Sequence, residues 1–225
     1  MISAYEGEEI IEKIVIRGGE KHFERKYIPR TVFHDPKDKP AFILGNAPSR
    51  SNIDISKLKE HGFTYGCNAL YRDFTPDFLV TVDVAIAGEI VESGYAKDHV
   101  VYGGYKSILT HGQDITLIPK HPAFSTGNTA THIASFDGHK EVYLVGFNPD
   151  PKQKTVDNVY NGTNCYKPEG TDIMHELWVK QLYKIFEAYS EVTYYLVDME
   201  HIPLFSHFTN ARNITSEKFR KTFDI

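Results

Sequence analysis

The chain has 225 residues, of which 41% are hydrophobic and 24% charged, with a formal charge of −5 near neutral pH. That composition describes a globular protein, and no apolar run reaches the ~18 residues that a membrane-spanning helix requires. The acidic balance argues against a general binder of duplex nucleic acid, although a local basic groove stays compatible with an anionic substrate.

Taken in chain order, Glu9 to Arg17 reads as an amphipathic edge strand, and Tyr27 to Phe33 as an extended piece around Pro29. Both belong to an N-terminal extension over residues 1–39. Ala41 to Leu44 is a short apolar run that stops at Gly45-Asn46-Ala47-Pro48-Ser49, the pattern of a buried strand delivering a glycine loop. Asn52 or Asp54 then offers a cap for a short helix that Gly62 ends. Phe63 to Cys67 predicts a second strand, and Pro76 to Val82 a third that ends at Asp83.

Ala85 to Ser93 is helical in pattern, with Gly94 as its stop. Val100 to Tyr102 and Ile115 to Ile118 are short strands, while Lys106 to Thr110 is too short to assign. Thr126 to Phe136 predicts a helix of small residues closed by Gly138, followed by a strongly apolar strand, Glu141 to Val145. Residues 147–170 lack any regular period, which marks a lid or binding loop. Thr171 to Ser190 is the longest helix candidate, capped by Thr171 or Asp172, and Val192 to Val197 is a last strand. The tail packs as a short terminal helix or turn.

Repeated strand, polar loop and helix units predict a single Rossmann-like α/β domain over residues 1–225. Its mostly parallel, doubly wound sheet would carry helices on both faces, a long active-site loop, and a ligand at the carboxyl ends of the strands. Cys67 and Cys165 have no metal-ligand spacing and suit a reducing, cytoplasmic setting. The first ten residues lack a basic region followed by a long apolar one, so a signal peptide is not expected. The 14 Tyr and 14 Phe supply core and allow a binding surface or homo-oligomer face.

The loop of Gly45, Asn46, Ala47, Pro48 and Ser49 is neither a dinucleotide fingerprint nor a Gly-Lys-Ser phosphate loop. Its tight turn and backbone donors suit a phosphate, against the plainer reading of a strand-to-helix turn. Asn68 follows the second strand and suits a sugar or base, or simply closes a turn. Asp83 follows the third and suits a ribose hydroxyl or a divalent ion, or caps the next helix. Ser125, Thr126 and Gly127 open the small-residue helix and offer its free N–H groups to an anion, or serve as plain caps.

In the long loop, Tyr160, Tyr166 and Lys167 are suited to stabilising leaving-group charge, while Glu169, His175 and His121 are candidate bases. A solvated loop is the plain alternative. No His-Glu-x-x-His or Gly-x-Ser-x-Gly motif occurs, so neither a zinc site nor a serine hydrolase is expected.

Four segments in this order, ILGNAPSRSNIDISKL, YGCNALYRDFTPDFLVTVD, STGNTATHIASFDGHKEVYLVGFNPD and GTDIMHEL, span Ile43 to Leu177, about 60% of the chain. Together they resemble the bacterial sialyltransferases with a single nucleotide-binding domain (glycosyltransferase family 42-like). More loosely they are similar to related sugar-transferase and pterin-pyrophosphokinase-like proteins. The resemblance implies that Asn46, Ser49 and Asn68 hold the nucleotide, and that Ser125, Thr126 and Gly127 approach the donor near the reacting centre. It also implies that Tyr160 and Tyr166 assist the departing phosphate, and that the donor is CMP-linked.

Two family features are missing: the general-base histidine before Thr171, where Lys167-Pro168-Glu169-Gly170 stands, and an arginine before Ser125. The reading is therefore a glycosyltransferase-like enzyme moving a sugar from a nucleotide-linked donor to a hydroxyl acceptor. A magnesium-dependent pyrophosphokinase would instead gather Asp83 with Asp150 or Asp172. A non-catalytic nucleotide-binding module would keep the first loop alone.

Overall fold

The computed structural model describes residues 8–18, 20–29, 39–111, 114–118, 124–148, 155–169, 171–172 and 175–225. Strands β1 (Glu8–Arg17) and β2 (Glu20–Pro29) pair antiparallel as a separate ribbon. The ribbon fills part of the expected N-terminal extension, but its second strand begins well before Tyr27, and residues 30–33 lie outside the described residues.

The main sheet is built from β3 (Ala41–Leu44), β4 (Phe63–Cys67), β5 (Phe78–Thr81), β6 (Val100–Gly103), β7 (Thr116–Leu117) and β8 (Glu141–Val145). A short ribbon of β9 (Thr155–Val156) and β10 (Thr171–Asp172) intervenes. The chain then adds β11 (Thr193–Val197) and β12 (Ala211–Ile214) to the main sheet. Its strand order is β12-β11-β8-β3-β4-β5-β6-β7, and every neighbouring pair is parallel.

Alternate side chains of a strand face opposite sides of the sheet, and β3 feeds two cores in that way. Ala41 and Ile43 join Ile133 and Ala134 of α4 (Thr126–Phe136) and Leu182 and Phe186 of α5 (His175–Ala188). Phe42 and Leu44 join Ile86 and Ile90 of α1 (Val84–Glu92), Ala96 of α2 (Tyr95–Asp98), and Phe219 and Phe223 of α6 (Ser216–Phe223). The remaining helix, α3 (Tyr105–His111), covers the end where Lys106 to Thr110 was too short to assign. All four β3 residues have no solvent exposure, and each large one contributes about 1.5–3 kcal/mol on burial.

The chain runs outward from β3 to β7, then returns across the sheet to lay β8 on the other side of β3. Such a reversal opens a crevice at the carboxyl ends of the two central strands. Helix α4 carries the return, and its small residues let it sit buried between the sheet and α5.

Several expectations need correction. The helix placed after the first loop is two short 3-10 segments, Pro48–Asn52 and Ile55–Glu60, the second capped by Asp54. Thr171 and Asp172 pair with β9 instead of opening α5, whose first described residue is His175. The described part of residues 147–170 thus holds β9, one strand of a small ribbon, followed by turns. The tail contributes an edge strand, β12, whose mixed sequence Ala-Arg-Asn-Ile carried no apolar alternation. Among the described residues, no helix is long and apolar enough to cross a membrane.

Candidate functional site

The crevice between β3 and β8 opens into a cavity of about 460 Å³. Gly45, Asn46 and Ala47 follow β3; Cys67 and Asn68 follow β4; Val82, Asp83 and Ile86 follow β5; and Gly146, Phe147 and Asn148 follow β8. Ser125 to Asn128 bring the start of α4 to the centre, Leu177, Trp178 and Leu182 of α5 form an apolar wall, and Asn158, Cys165 and Tyr166 come from the loop after β9.

The first loop is locked by its neighbour. The Gly45 and Ala47 amides donate to the Val145 and Gly146 carbonyls at 2.8 and 3.1 Å, so these two N–H groups are not the phosphate donors that the sequence suggested. A Cβ on Gly45 would stand 2.4 Å from the Gly146 oxygen, and Gly146 itself has φ +73°. Glycine at both positions is what lets the two loops close on each other. Pro48 and Ser49 do not line the cavity; Pro48 opens a 3-10 turn, and the Ser49 hydroxyl donates to Asn148 Oδ1 at 3.1 Å.

Asn46 bridges loops rather than projecting freely. Its Nδ2 donates to the Cys67 carbonyl at 2.9 Å, and its Oδ1 accepts from Arg50 at 2.6 Å. Asn68 sits at φ +52°, a left-handed conformation that asparagine tolerates. Its Oδ1 accepts from the Thr126 hydroxyl at 3.1 Å, which ties the second loop to the start of α4. Asp83 lines the rim and also caps α1, accepting from the Ala85 and Ile86 amides at 2.8 and 3.4 Å.

At the start of α4, Ser125 occupies the cap position, yet its side chain makes no capping bond. Its backbone amide donates to Gln181 Oε1 at 3.0 Å, and Asn128 Nδ2 donates to the same oxygen and to the Trp178 carbonyl, each at 3.0 Å. Helix α5 therefore anchors the first turn of α4 while the side-chain cap is left out. An uncapped helix start of this kind, in a cavity wall, presents amide donors and a partial positive charge to an anion. Gly127 permits close packing here, because a Cβ would stand 2.8 Å from the Phe147 ring.

The two loop tyrosines separate. Tyr160 is 5% exposed and does not line the cavity. Its hydroxyl donates to Asp73 at 2.7 Å and accepts from Arg50 at 3.3 Å. Tyr166 lines the cavity, and its buried hydroxyl has no hydrogen-bond partner. Burial pushes both phenols up to about 12; the Asp73 bond adds to that at Tyr160, and the nearby Ala69 backbone and Arg72 work against it at Tyr166. Each is therefore a neutral donor at physiological pH. Burial also raises the Cys67 thiol to about 12, and burial with Glu89 raises that of Cys165, so neither is a ready thiolate.

Lys167 and Glu169 are exposed and stand outside the cavity lining. His175 is 4% exposed, has no partner on either ring nitrogen, and packs 6.0 Å from the Trp178 ring that lines the cavity. His121 and Asp150 lie outside the described residues. Among the described residues, no three His, Cys, Asp or Glu side chains gather to hold a metal ion.

Sequence reasoning missed Arg50, Gly146, Asn148, Asn158, Gln181 and the Leu177-Trp178 wall. It also missed what ties down the loop after β9: Arg72 pairs with Glu89 through Nε and Nη2 at 2.8 and 2.6 Å, and donates to Thr163 Oγ1 and the Asn164 carbonyl at 2.8 and 3.0 Å. Gly146 and Asn148 were findable, since the strand that returns beside the first one brings its loop to the same rim.

The geometry sets a cavity at the switch point of a parallel α/β fold. Among solved structures, the monofunctional α-2,3-sialyltransferase Cst-I from Campylobacter jejuni is similar with a TM-score of 0.51 at 14% identity, over 76% of this chain and 79% of that one. The MAf glycosyltransferase from Magnetospirillum magneticum AMB-1 is similar with a TM-score of 0.53 at 16% identity; the match takes in 80% of this chain but 34% of that one. The sialyltransferase CstII from Campylobacter jejuni, in complex with the substrate analogue CMP-3FNeuAc, gives a TM-score of 0.46 at 14% identity over 70% of this chain and 80% of that one. At these identities the likeness is one of fold: the chain has the fold of the bacterial sialyltransferases. No protein-family model matches the sequence, nor does any curated protein.

Proposed function

We propose that the chain is a glycosyltransferase that moves a sugar from a nucleotide-linked donor to a hydroxyl acceptor. The observation that carries the reading is the uncapped start of α4 at the centre of the switch-point cavity, with Asn68 held against it by Thr126. A phosphate there meets amide donors and the positive end of the helix. The rim residues Asn68 and Asp83 suit the nucleoside hydroxyls and base edge.

In the reaction the bond from the sugar carbon to the phosphate oxygen breaks, and the phosphate keeps the electron pair. Tyr166, with a neutral and unpartnered hydroxyl, donates a hydrogen bond to that oxygen as its charge grows. The acceptor hydroxyl forms the new bond and gives up its proton to a base. His175 fits that task best of the three candidates, because it is buried beside the Trp178 wall with both nitrogens unused. Tyr160 is committed elsewhere and acts as a brace.

Thermal shift against CMP-, UDP-, GDP- and ADP-linked sugars, followed by assay of nucleotide release, tests the proposal. One family of donors should raise the melting temperature by mass action, and CMP-linked sugars are the first choice because the sequence resemblance names them. Absence of any shift and of any turnover across the panel refutes it.

A further inference from the structure

We infer that Arg50 is the fixed positive charge of this site, selecting for a phosphorylated ligand through the loop it braces and without touching the ligand. The inference rests on the nucleotide reading and deepens it.

Arg50 is 7% exposed. Its Nη1 donates to the Gly45 carbonyl at 3.0 Å and to Asn46 Oδ1 at 2.6 Å. Its Nη2 donates to the Tyr160 hydroxyl at 3.3 Å, and its guanidinium carbon lies 5.6 Å from the centre of the Tyr160 ring. Every one of these partners is neutral. Among the described residues no carboxylate forms an ion pair with it. A link to Asp73 runs through the Tyr160 hydroxyl, but Asp73 is exposed to solvent.

A guanidinium cannot shed its proton to escape burial. A buried charge among neutral partners keeps most of its field, and that field is strong where water is excluded. Here it emerges into the cavity, because Gly45, Asn46 and Ala47 form both the loop that Arg50 braces and part of the cavity wall. Cys67, another lining residue, already feels the charge, which opposes the upward push of burial on its thiol. Among the described lining residues no Lys, Arg or His stands, and the one carboxylate, Asp83, is turned to capping α1 through the Ala85 and Ile86 amides. The compensating anion is therefore the ligand's own phosphate, held between the start of α4 and the Arg50-braced loop.

A brace that only shapes the loop and a charge that selects phosphate differ in one readout, the affinity ratio of CMP to cytidine. Isothermal titration of the full chain with both probes, at low and high salt, measures that ratio in wild type, Arg50→Gln and Arg50→Lys. Arg50→Gln should weaken CMP about tenfold and cytidine by less than about twofold. Arg50→Lys should keep the preference for CMP, since the charge remains.

Equal losses for CMP and cytidine in Arg50→Gln, or an unchanged ratio, overturn the inference and leave the nucleotide reading standing. If Arg50→Gln does not fold, loss of the CMP preference in a folded Arg50→Lys overturns it just as well. Should wild type ignore both probes yet bind pyrophosphate in an Arg50-dependent way, the nucleotide reading falls and the inference stands. Should it bind none of the three, both fall.

Discussion

Gly45→Ala tests the packing of the rim directly. The added methyl would lie 2.4 Å from the Gly146 carbonyl oxygen and 3.1 Å from both its carbon and Phe147 Cδ2. That is about 1 Å inside ordinary contact, and the obstacle is backbone, so the two loops have to part. Parting them loosens two hydrogen bonds, Gly45 to Val145 at 2.8 Å and Ala47 to Gly146 at 3.1 Å. Each is worth about 1 kcal/mol net, and overpacking adds about 1–3 kcal/mol, so the expected loss is about 3–5 kcal/mol. In a chain of this size that lowers the melting temperature by about 6–20 °C.

Urea denaturation and thermal melting, with Gly94→Ala as control, make the measurement. Gly94 has φ +79° and nothing within 4 Å of an added Cβ. Its substitution should cost only the left-handed penalty of about 1–2 kcal/mol and leave ligand binding intact. A Gly45→Ala protein within about 0.5 kcal/mol of wild type refutes the reciprocal glycine packing. One that is destabilised but binds CMP as tightly as wild type refutes the placement of phosphate at this rim.

Tyr160→Phe removes a hydroxyl bonded to Asp73 and Arg50 and should cost about 1–2 kcal/mol in urea denaturation. Tyr166→Phe removes a buried hydroxyl with no partner, so stability should stay within about 0.5 kcal/mol while nucleotide release from the donor slows. Equal stability losses in the two variants would contradict the separation of roles. Thr126→Val deletes the bond that holds Asn68 against α4, and should weaken CMP binding with a stability loss of about 1 kcal/mol; unchanged affinity rules out that positioning role.

Acid should release the loop after β9. Burial opposes ionisation of Glu89, but hydrogen bonds from Arg72, Tyr71 and Asn164 outweigh it and hold its carboxyl below the ordinary Glu range. A depressed folded value means that this stabilisation is complete above the unfolded Glu value near 4.5 and fades as pH falls through the folded one. Limited proteolysis of residues 158–166 should rise in that window in wild type and already occur at neutral pH in Glu89→Gln.

The sheet was legible because buried parallel strands are short uninterrupted apolar runs, and Ala41 to Leu44 and Glu141 to Val145 stand out as such. Thr126 to Phe136 was found to the residue, its small side chains betraying a helix buried on every side. β12 was missed because an edge strand half exposed to water needs no apolar pattern. The start of α5 was misplaced because Thr171 and Asp172 look like caps, and only a partner distant in sequence, Val156 with Thr155, makes them a strand.

The candidate site divided along the same line. Asn68, Asp83 and Ser125 to Gly127 could be placed at one rim because each directly follows a strand or opens a helix. Arg50, Arg72 and Glu89 could not, since their roles rest on tertiary partners: Tyr160 is 110 positions from Arg50, and Thr163 is 91 from Arg72. Two tyrosines of like spacing and surroundings in the sequence proved to face different ways, and no local pattern distinguishes them.

That division explains how the loop after β9 is held. The guanidinium carbons of Arg50 and Arg72 each lie 5.6 Å from the centre of the Tyr160 ring, and Arg72 also lies 6.0 Å from that of Tyr166. Each such contact is worth about 0.5–2 kcal/mol. The Val159 amide donates to the Asn46 carbonyl at 2.9 Å, joining its backbone to first-loop backbone. Asn158, Cys165 and Tyr166 are thus set in the cavity wall by contacts to Arg50, Arg72 and the Asn46 carbonyl. A loop held in place by such contacts has little conformational entropy left to lose, which keeps the Tyr166 hydroxyl at the cavity wall.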